Sequence, residues 1–452
     1  MSAAATLDTP LLDEVLAAAK RAGATDADAV LAEWTSASAA VRLGEVETVK
    51  LSRERRLGVR CFAGRASAVA STADLDEGSV DRFVRDVADM AALVAPDPDA
   101  ALPSPGELSP DAPDLGLADR ASDSITPEER IERARRCEAA ALSVDPRLTN
   151  SEGAEFGQSS GRISYASSAG FRGAYETTSY SLSASPVASE NGGMQRDSWW
   201  DSSRALARLE TPETVGRIAA ERTLRRLGAR KVPTQEVTIV FDPITAASLL
   251  RHLAGAVSGG ALYRRSSFLL DRLGEEIASR AVTIIDDGRL AGGLASRPFD
   301  AEGVATRRTP VVVEGRLESY LLDTYAARRL GLATTGNAAR SVGDVPAAAP
   351  TNLYLVAGPD SPEDIVASVD RGLYVTSLSG FGVNGVTGDY SRGAAGIWIE
   401  KGELTHAVEE VTIAGNLLRM FRDIEQVGSD LVFRASTSAP TVRIRRMTLA
   451  GS

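Results

Sequence analysis

The chain's only imidazole and thiol groups are two histidines, His252 and His406, and two cysteines, Cys61 and Cys137. So few soft ligands exclude a zinc finger, an iron–sulfur cluster or a disulfide framework. The cysteines lie far apart in no CxxC pattern, and read as reduced, packed thiols. His252 falls in a helical pattern and His406 in a strand pattern, Glu403–Val408. A metal site of both histidines and a carboxylate is disfavoured, because a working site needs a defined ligand count and groups that orient the ligands. Two histidines also restrict Ser-His-Asp triads, and no G-x-S-x-G comes with a plausible His and Asp constellation.

Other motifs are equivocal. Gly380-Phe381-Gly382 is no dinucleotide fingerprint: the third glycine is misplaced and no βαβ unit surrounds it. The same glycines suit either close approach of a substrate backbone or tight turns in a crowded β domain. Tyr263-Arg264-Arg265-Ser266-Ser267 reads either as a partner or peptide contact or as a polar segment after a helix. Asp286-Asp287 and Glu409-Glu410 read as solvated turn or edge positions. Trp199-Trp200 marks an interface or a core anchor.

Capping signals place the helices that would position these groups. Thr9-Pro10 opens the first, with Leu11, Leu12, Val15, Leu16 and Ala19 on one face. Asp76–Ala95 forms a second, its apolar face drawn from Val80, Phe83, Val84, Val87, Met90 and Val94. Thr126-Pro127-Glu128-Glu129 and Thr211-Pro212-Glu213 open two more, the former with capping-box spacing. Asp242-Pro243 caps a helix over 243–257 that carries His252.

Strands are expected at 29–32, at 46–51 and 57–62 (both alternating with period two), and across 147–200. Further strands are expected at 237–241, 281–285, 310–313, 316–320, 352–357, 395–400 and 404–413. Glu314-Gly315 and Lys401-Gly402 suit hairpin turns. Six prolines between Pro96 and Pro113, with many aspartates, suggest a surface excursion or linker over 96–124. The chain thus divides into an N-terminal α/β region (1–125), a central helix–strand region (126–230) and a β-rich part (231–452).

The net charge of −11 argues against phosphate-backbone binding, and all but Lys20, Lys50, Lys231 and Lys401 of the 50 basic residues are arginine. The arginine excess reads as codon bias. No apolar run reaches 18 residues, and Met1 to Thr9 lacks the features of a signal peptide, so a cytoplasmic protein without a membrane span is expected.

Three strings carry a resemblance: Ser258–Leu269, Thr335-Gly336-Asn337-Ala338-Ala339-Arg340, and Gly380–Asn384 with Thr387–Gly393 and Gly396–Glu400. In this order they resemble the TldD/PmbA family, specifically its PmbA (TldE) branch, and the likeness runs from Leu11 to about Leu449. The resemblance implies an α+β fold, with an N-terminal α/β region and a β-rich, barrel-like C-terminal domain. It implies a TldD-like partner with a helix-borne H-E-x-x-x-H motif, a C-terminal cysteine and zinc, the pair trimming unstructured peptides in a closed chamber. An old family label is modulator of DNA gyrase.

On that framework the metal motif is degenerate. His252 remains, but Leu253 stands at the glutamate and Val257 at the second histidine. Leucine cannot move a proton and valine has no lone pair for zinc. No catalytic residue and no bound cofactor are therefore expected in this chain, with zinc expected in the TldD-like partner. The chain is expected to be a subunit inactive by itself, in a heterodimer with that partner and with unfolded peptide as substrate. The alternative is a homodimeric peptide- or protein-binding scaffold; neither reading involves direct nucleic-acid binding. Candidate peptide or partner contacts are Tyr263, Arg264, Ser266, Gly380, Phe381, Gly382 and Asn384.

Overall fold

The computed structural model describes residues 9–451, so the reading of residues 1–8 and the capping role of the Thr9 side chain lie outside the described residues. Among these residues no helix is long and apolar enough to cross a membrane. The fold is α+β, and its first half is one antiparallel sheet with helices on one face. The elements are α1 (Thr9–Arg21), β1 (Asp26–Arg42), β2 (Glu45–Ala63), β3 (Ala66–Thr72), α2 (Glu77–Leu93), α3 (Pro127–Leu142), β4 (Leu148–Ser167), β5 (Arg172–Glu190), β6 (Gly193–Arg196), β7 (Trp199–Ser203) and α4 (Pro212–Leu224). The strand order is β3-β2-β1-β4-β5-β6, with β7 also on β5, so the sheet spans the expected boundary near residue 125.

Apolar residues of α1 and α2 (Leu12, Val15, Val80, Val84) pack on Ala29, Leu31, Leu57, Val59 and Cys61 at one end. At the other end α3 and α4 bury Cys137, Val215 and Ala219 against Phe156, Tyr180 and Leu182. Both cysteines are buried and free, and burial pushes each thiol up to about 12. Met90 and Val94, expected on the buried face of α2, are exposed; Ala88 and Ala91 take that place.

The two short strands expected at 46–51 and 57–62 are one continuous strand, and neither shows alternating burial. Residues 45–56 are almost wholly exposed, while 57–62 are buried on both faces. One face of that second stretch meets the helices and the other meets the C-terminal half. Gly58 shows the second contact: a β-carbon there would lie 1.8 Å from the Val342 carbonyl oxygen.

The second half comprises β8 (Gln235–Phe241), α5 (Pro243–Val257), α6 (Gly259–Tyr263), β9 (Ile284–Asp287), β10 (Arg308–Val313), β11 (Arg316–Leu317), α7 (Thr324–Leu330), β12 (Ala338–Ala339), β13 (Ala347–Ala348), β14 (Leu353–Leu355), α8 (Pro362–Ala367), β15 (Arg371–Val383), β16 (Asp389–Glu400), β17 (Glu403–Asn416), α9 (Leu417–Arg422), β18 (Ile424–Val427), β19 (Thr437–Ser438) and β20 (Val442–Ala450). Strands β8, β15, β16, β17 and β20 close into a five-stranded barrel, because β17 pairs with β20 and β8 pairs with both β15 and β20. A second sheet, β11-β10-β9-β14-β19, packs beside it through α5. Both expected hairpin turns exist: Glu314 and Gly315, and Lys401 and Gly402, all have positive φ, as a two-residue type I′ turn requires.

Two expectations are corrected. Segment 96–124 is no free excursion but a strap on the C-terminal half. Tyr325 Oη donates to Asp97 Oδ2 (2.7 Å), Arg328 donates to the Ala101 and Leu102 carbonyls (2.9 and 2.6 Å), and Ser109 N donates to Gly303 O. Asp286 and Asp287 are not solvated: both are buried in β9. Asp286 accepts from Asn337 Nδ2 (2.7 Å) and from Thr351 N (2.6 Å) and Oγ1 (3.0 Å), which satisfies the buried carboxylate.

The halves are joined by a buried ion cluster. Asp28 on β1 faces its register partner Arg60 on β2, 2.6 Å at the closest N–O approach, and accepts from Arg340 Nη1 at 2.8 Å. Arg60 also reaches Glu302 at 3.4 Å. Burial alone would push the Asp28 carboxyl up, but Arg340 and Arg60 outweigh it and hold it below the ordinary range. Because folding lowers this pKa, its stabilisation is complete above the ordinary Asp range and is lost as pH falls through the lower folded value. Asp28→Asn leaves two buried guanidinium groups short of charge and should cost about 3–5 kcal/mol. A lower urea midpoint at neutral pH, with a smaller loss on acidification below about pH 4, is the expected result.

Candidate functional site

Helix α5 positions the remaining imidazole. The Asp242 carboxylate caps the helix, accepting from Thr245 N (2.8 Å) and Oγ1 (2.8 Å), and Arg222 Nη1 on α4 holds its other oxygen at 3.2 Å. Leu253 and Val257 point into the core, 1% and 0% exposed. His252 points elsewhere, into a pocket of about 350 Å3 lined by Arg251, Gly255, Ser266, Phe381, Val383 and Arg392 among others. Its Nε2 is buried with no hydrogen-bond partner, and its ring meets Tyr390 edge-on at 6.1 Å. Burial first, then Arg392 and Arg251, lower its pKa and so favour the neutral ring.

Tested as a zinc site, this pocket offers one imidazole flanked by two guanidinium groups and no carboxylate or thiolate. That donor set does not fit the ion. Among the described residues no three His, Cys, Asp or Glu side chains group as a metal would require. His406 lies on β17, against Trp398 and Thr405, outside the set lining the His252 pocket.

The candidate contacts separate into two places. Ser266 and Phe381 line the His252 pocket, and Phe381 stands fully exposed at its rim. Gly380, Phe381 and Gly382 lie near the end of β15. Gly380 (φ +79°) sits in a bulge, and Gly382 lets the Ser391 backbone approach where a β-carbon would be 2.1 Å from its oxygen. Asn384 uses its side chain locally: Oδ1 accepts from Val386 N (2.9 Å) and Thr387 N (3.3 Å), shaping the β15–β16 tip. Tyr263 and Arg264 are apart from this pocket. Arg264 and Arg329 lie over the Tyr263 ring, which meets Tyr325 at 5.5 Å. Trp199 is half-buried at the edge of the central core, with Arg222 and Arg434 over its ring.

A larger groove, about 1100 Å3, runs between the N-terminal sheet and the barrel. Arg42, Glu152 and Gln195 line one side, and Ser379, Gly393 and Glu409 the other. Sequence reasoning singled out neither this groove nor the Asp28–Arg60–Arg340 cluster. A signal for the cluster did exist: Asp28 and Arg60 each interrupt an otherwise apolar strand run, and Arg340 ends one of the family strings.

Three consecutive segments match family descriptions: residues 27–91 the PmbA/TldA metallopeptidase domain 1, 120–227 its central domain and 234–451 its C-terminal domain. The chain is 41% identical to "Metalloprotease PmbA" of Escherichia coli O157:H7, over 94% of this chain and 92% of that protein. It is 35% identical to the PmbA homologue of Haemophilus influenzae over 96% and 94%. A Bacteroides thetaiotaomicron crystal structure, described as a modulator of DNA gyrase, superposes with a TM-score of 0.92 at 29% identity, covering 98% and 99%. TldE from Thermococcus kodakarensis shares the fold, with a TM-score of 0.88 at 21% identity over 98% and 100%.

His252 should titrate below the ordinary 6.5 in an NMR pH series, with the His406 signal assigned by His406→Gln. Arg392→Met should raise the His252 midpoint; an unchanged midpoint would show that Arg392 exerts no field on the ring.

Proposed function

The chain belongs to the PmbA/TldD metallopeptidase family, in its PmbA (TldE) branch, and we propose that it serves there as the subunit without zinc in a two-chain peptidase. The observation that carries this reading is the helix α5: it keeps His252 toward a pocket while Leu253 and Val257 fill the core. A TldD-like partner would supply zinc, the general base and the scissile-bond chemistry. This chain would complete the chamber and present unfolded peptide. The groove beside β15–β17 supports that role by its size and its backbone-rich lining of Ser377, Ser379, Gly393 and Ala394. An extended segment held there through main-chain hydrogen bonds would be bound with little sequence preference. We place the protein in the cytoplasm. The net charge of −11 argues against direct DNA contact as the basis of the gyrase description given to a relative.

The test is to purify the chain alone and together with a TldD-like protein, then measure zinc content, mass in solution and cleavage of an unfolded peptide. Zinc and cleavage are expected only with the partner present, in a complex of the two chains. One bound zinc with robust cleavage by the chain alone would overturn the proposal. A stable homodimer that ignores the partner would favour a peptide-binding scaffold instead.

A further inference from the structure

A second cavity, about 650 Å3, lies between the N-terminal sheet and the C-terminal half, beside the buried ion cluster. Its volume falls in the range of small-molecule sites. Trp34 and Ile163 from the sheet, and Tyr175 and Phe299 from either side, give it one apolar wall, while Glu54, Arg56, Ser71 and Asp344 make the rest of its lining polar. Phe299 meets Tyr175 and Phe171 edge-on at 5.4 and 4.9 Å, so this wall is fixed by packing.

Beside this apolar wall the fold places cationic donors that lack acceptors. Arg297 and Arg340 both line the cavity. In each, Nε and Nη2 are buried without a hydrogen-bond partner, and so is the hydroxyl of Tyr165. Arg340 uses Nη1 on Asp28 and lies over the Tyr165 ring at 5.4 Å, which offsets part of its deficit. Among the described residues no carboxylate pairs directly with Arg297, although its charge acts at longer range on Asp286 and Asp300.

Three carboxylates border the cavity, but among the described residues none of them accepts a hydrogen bond from Arg297 or Arg340: Glu54 pairs with Arg56 (3.6 Å), and Asp344 is exposed. Asp300 also lines the cavity, but its oxygens accept from the backbone N–H groups of Glu302, Val304 and Ala338. Burial and the neighbouring Glu302 raise its carboxyl, while its backbone donors and Arg297 pull it back down. Buried donors left over in this way mark a missing acceptor, and a guanidinium fork is matched best by a carboxylate.

We infer that this cavity binds a small organic carboxylate with an apolar or aromatic body, its charge held by Arg297 with support from Arg340 and Tyr165. The body would pack against Trp34, Tyr175 and Phe299. The wall disfavours a bare inorganic anion, which would leave aromatic surface unfilled. The inference does not depend on the peptidase reading, since it uses neither the His252 pocket nor the groove.

Calorimetric titration of the full chain with 3-phenylpropionate tests it, against 3-phenylpropionamide (no charge) and inorganic phosphate (no body). Saturable binding of the acid is expected, with the amide and phosphate weaker by about tenfold or more, as loss of a charge-assisted pair implies. Arg297→Met should weaken the acid by a similar factor. Arg297→Lys, which keeps the charge and is the gentler change, should weaken it less. N-acetyl-Ala-Phe as free acid and as amide distinguishes the source. Tighter binding of the peptide acid than of phenylpropionate identifies a peptide C-terminus, while binding confined to phenylpropionate identifies a free metabolite; either supports the site. Equal binding of acid and amide, no saturation at millimolar concentration, or unchanged affinity in a folded Arg297→Met protein would overturn it.

Discussion

One buried carboxylate holds the two halves of the molecule in register. Asp28 has no exposed surface, and it sits between a guanidinium from its own sheet and one from the C-terminal half. A lone charge in that place would be prohibitive; with Arg60, Arg340 and Glu302 around it, each charge has an opposite neighbour. Such clusters contribute little net stability over a well-packed apolar core, but removing one member leaves a buried charge unpaired. Here the arrangement dictates where residues 340–344 lie, and hence why position 58 is glycine: the Val342 carbonyl occupies the space of a side chain. The same segment, Arg340 to Asp344, lines the cavity between the two halves.

The fold was legible where local signals sufficed. Pro at the first turn after Thr126, Thr211 or Asp242 marks three helices, and in each the capping oxygen accepts from the backbone three residues on. The paired positive-φ turns were equally readable. Strand β15 was not expected, because its second half is Ser377, Ser379, Gly380 and Gly382, which shows neither apolar alternation nor a β-branched run. The proline-rich strap was misread for a related reason: its polarity is real, but its carbonyls are satisfied by Arg328, more than 220 residues away. The buried Asp286 shows the limit of residue type as a guide, since its partners Asn337 and Thr351 come from distant loops.

The site was legible in part. The helical placement of His252 could be read from the sequence, the degenerate motif around it was implied by the family resemblance, and α5 does direct Leu253 and Val257 into the core. What spacing could not convey is that the β15–β16 tip reaches over this helix, so that Ser266 and Phe381 share a pocket with His252 while Tyr263 and Arg264 belong to a separate aromatic cluster with Tyr325. Two arginines beside the ring complete a setting that favours neutral imidazole.

The cluster around Asp28 also governs the order in which the chain can become native. Asp28 leaves the ribosome 312 residues before Arg340, the separation spanned by their hydrogen bond. For most of synthesis the carboxylate has only Arg60 beside it, on a sheet whose inner face still awaits Phe299 and Val342. Long-range contacts of this kind form last, and the waiting surface is apolar. The inner face of the N-terminal sheet is thus covered by residues made much later, 299–342 among them.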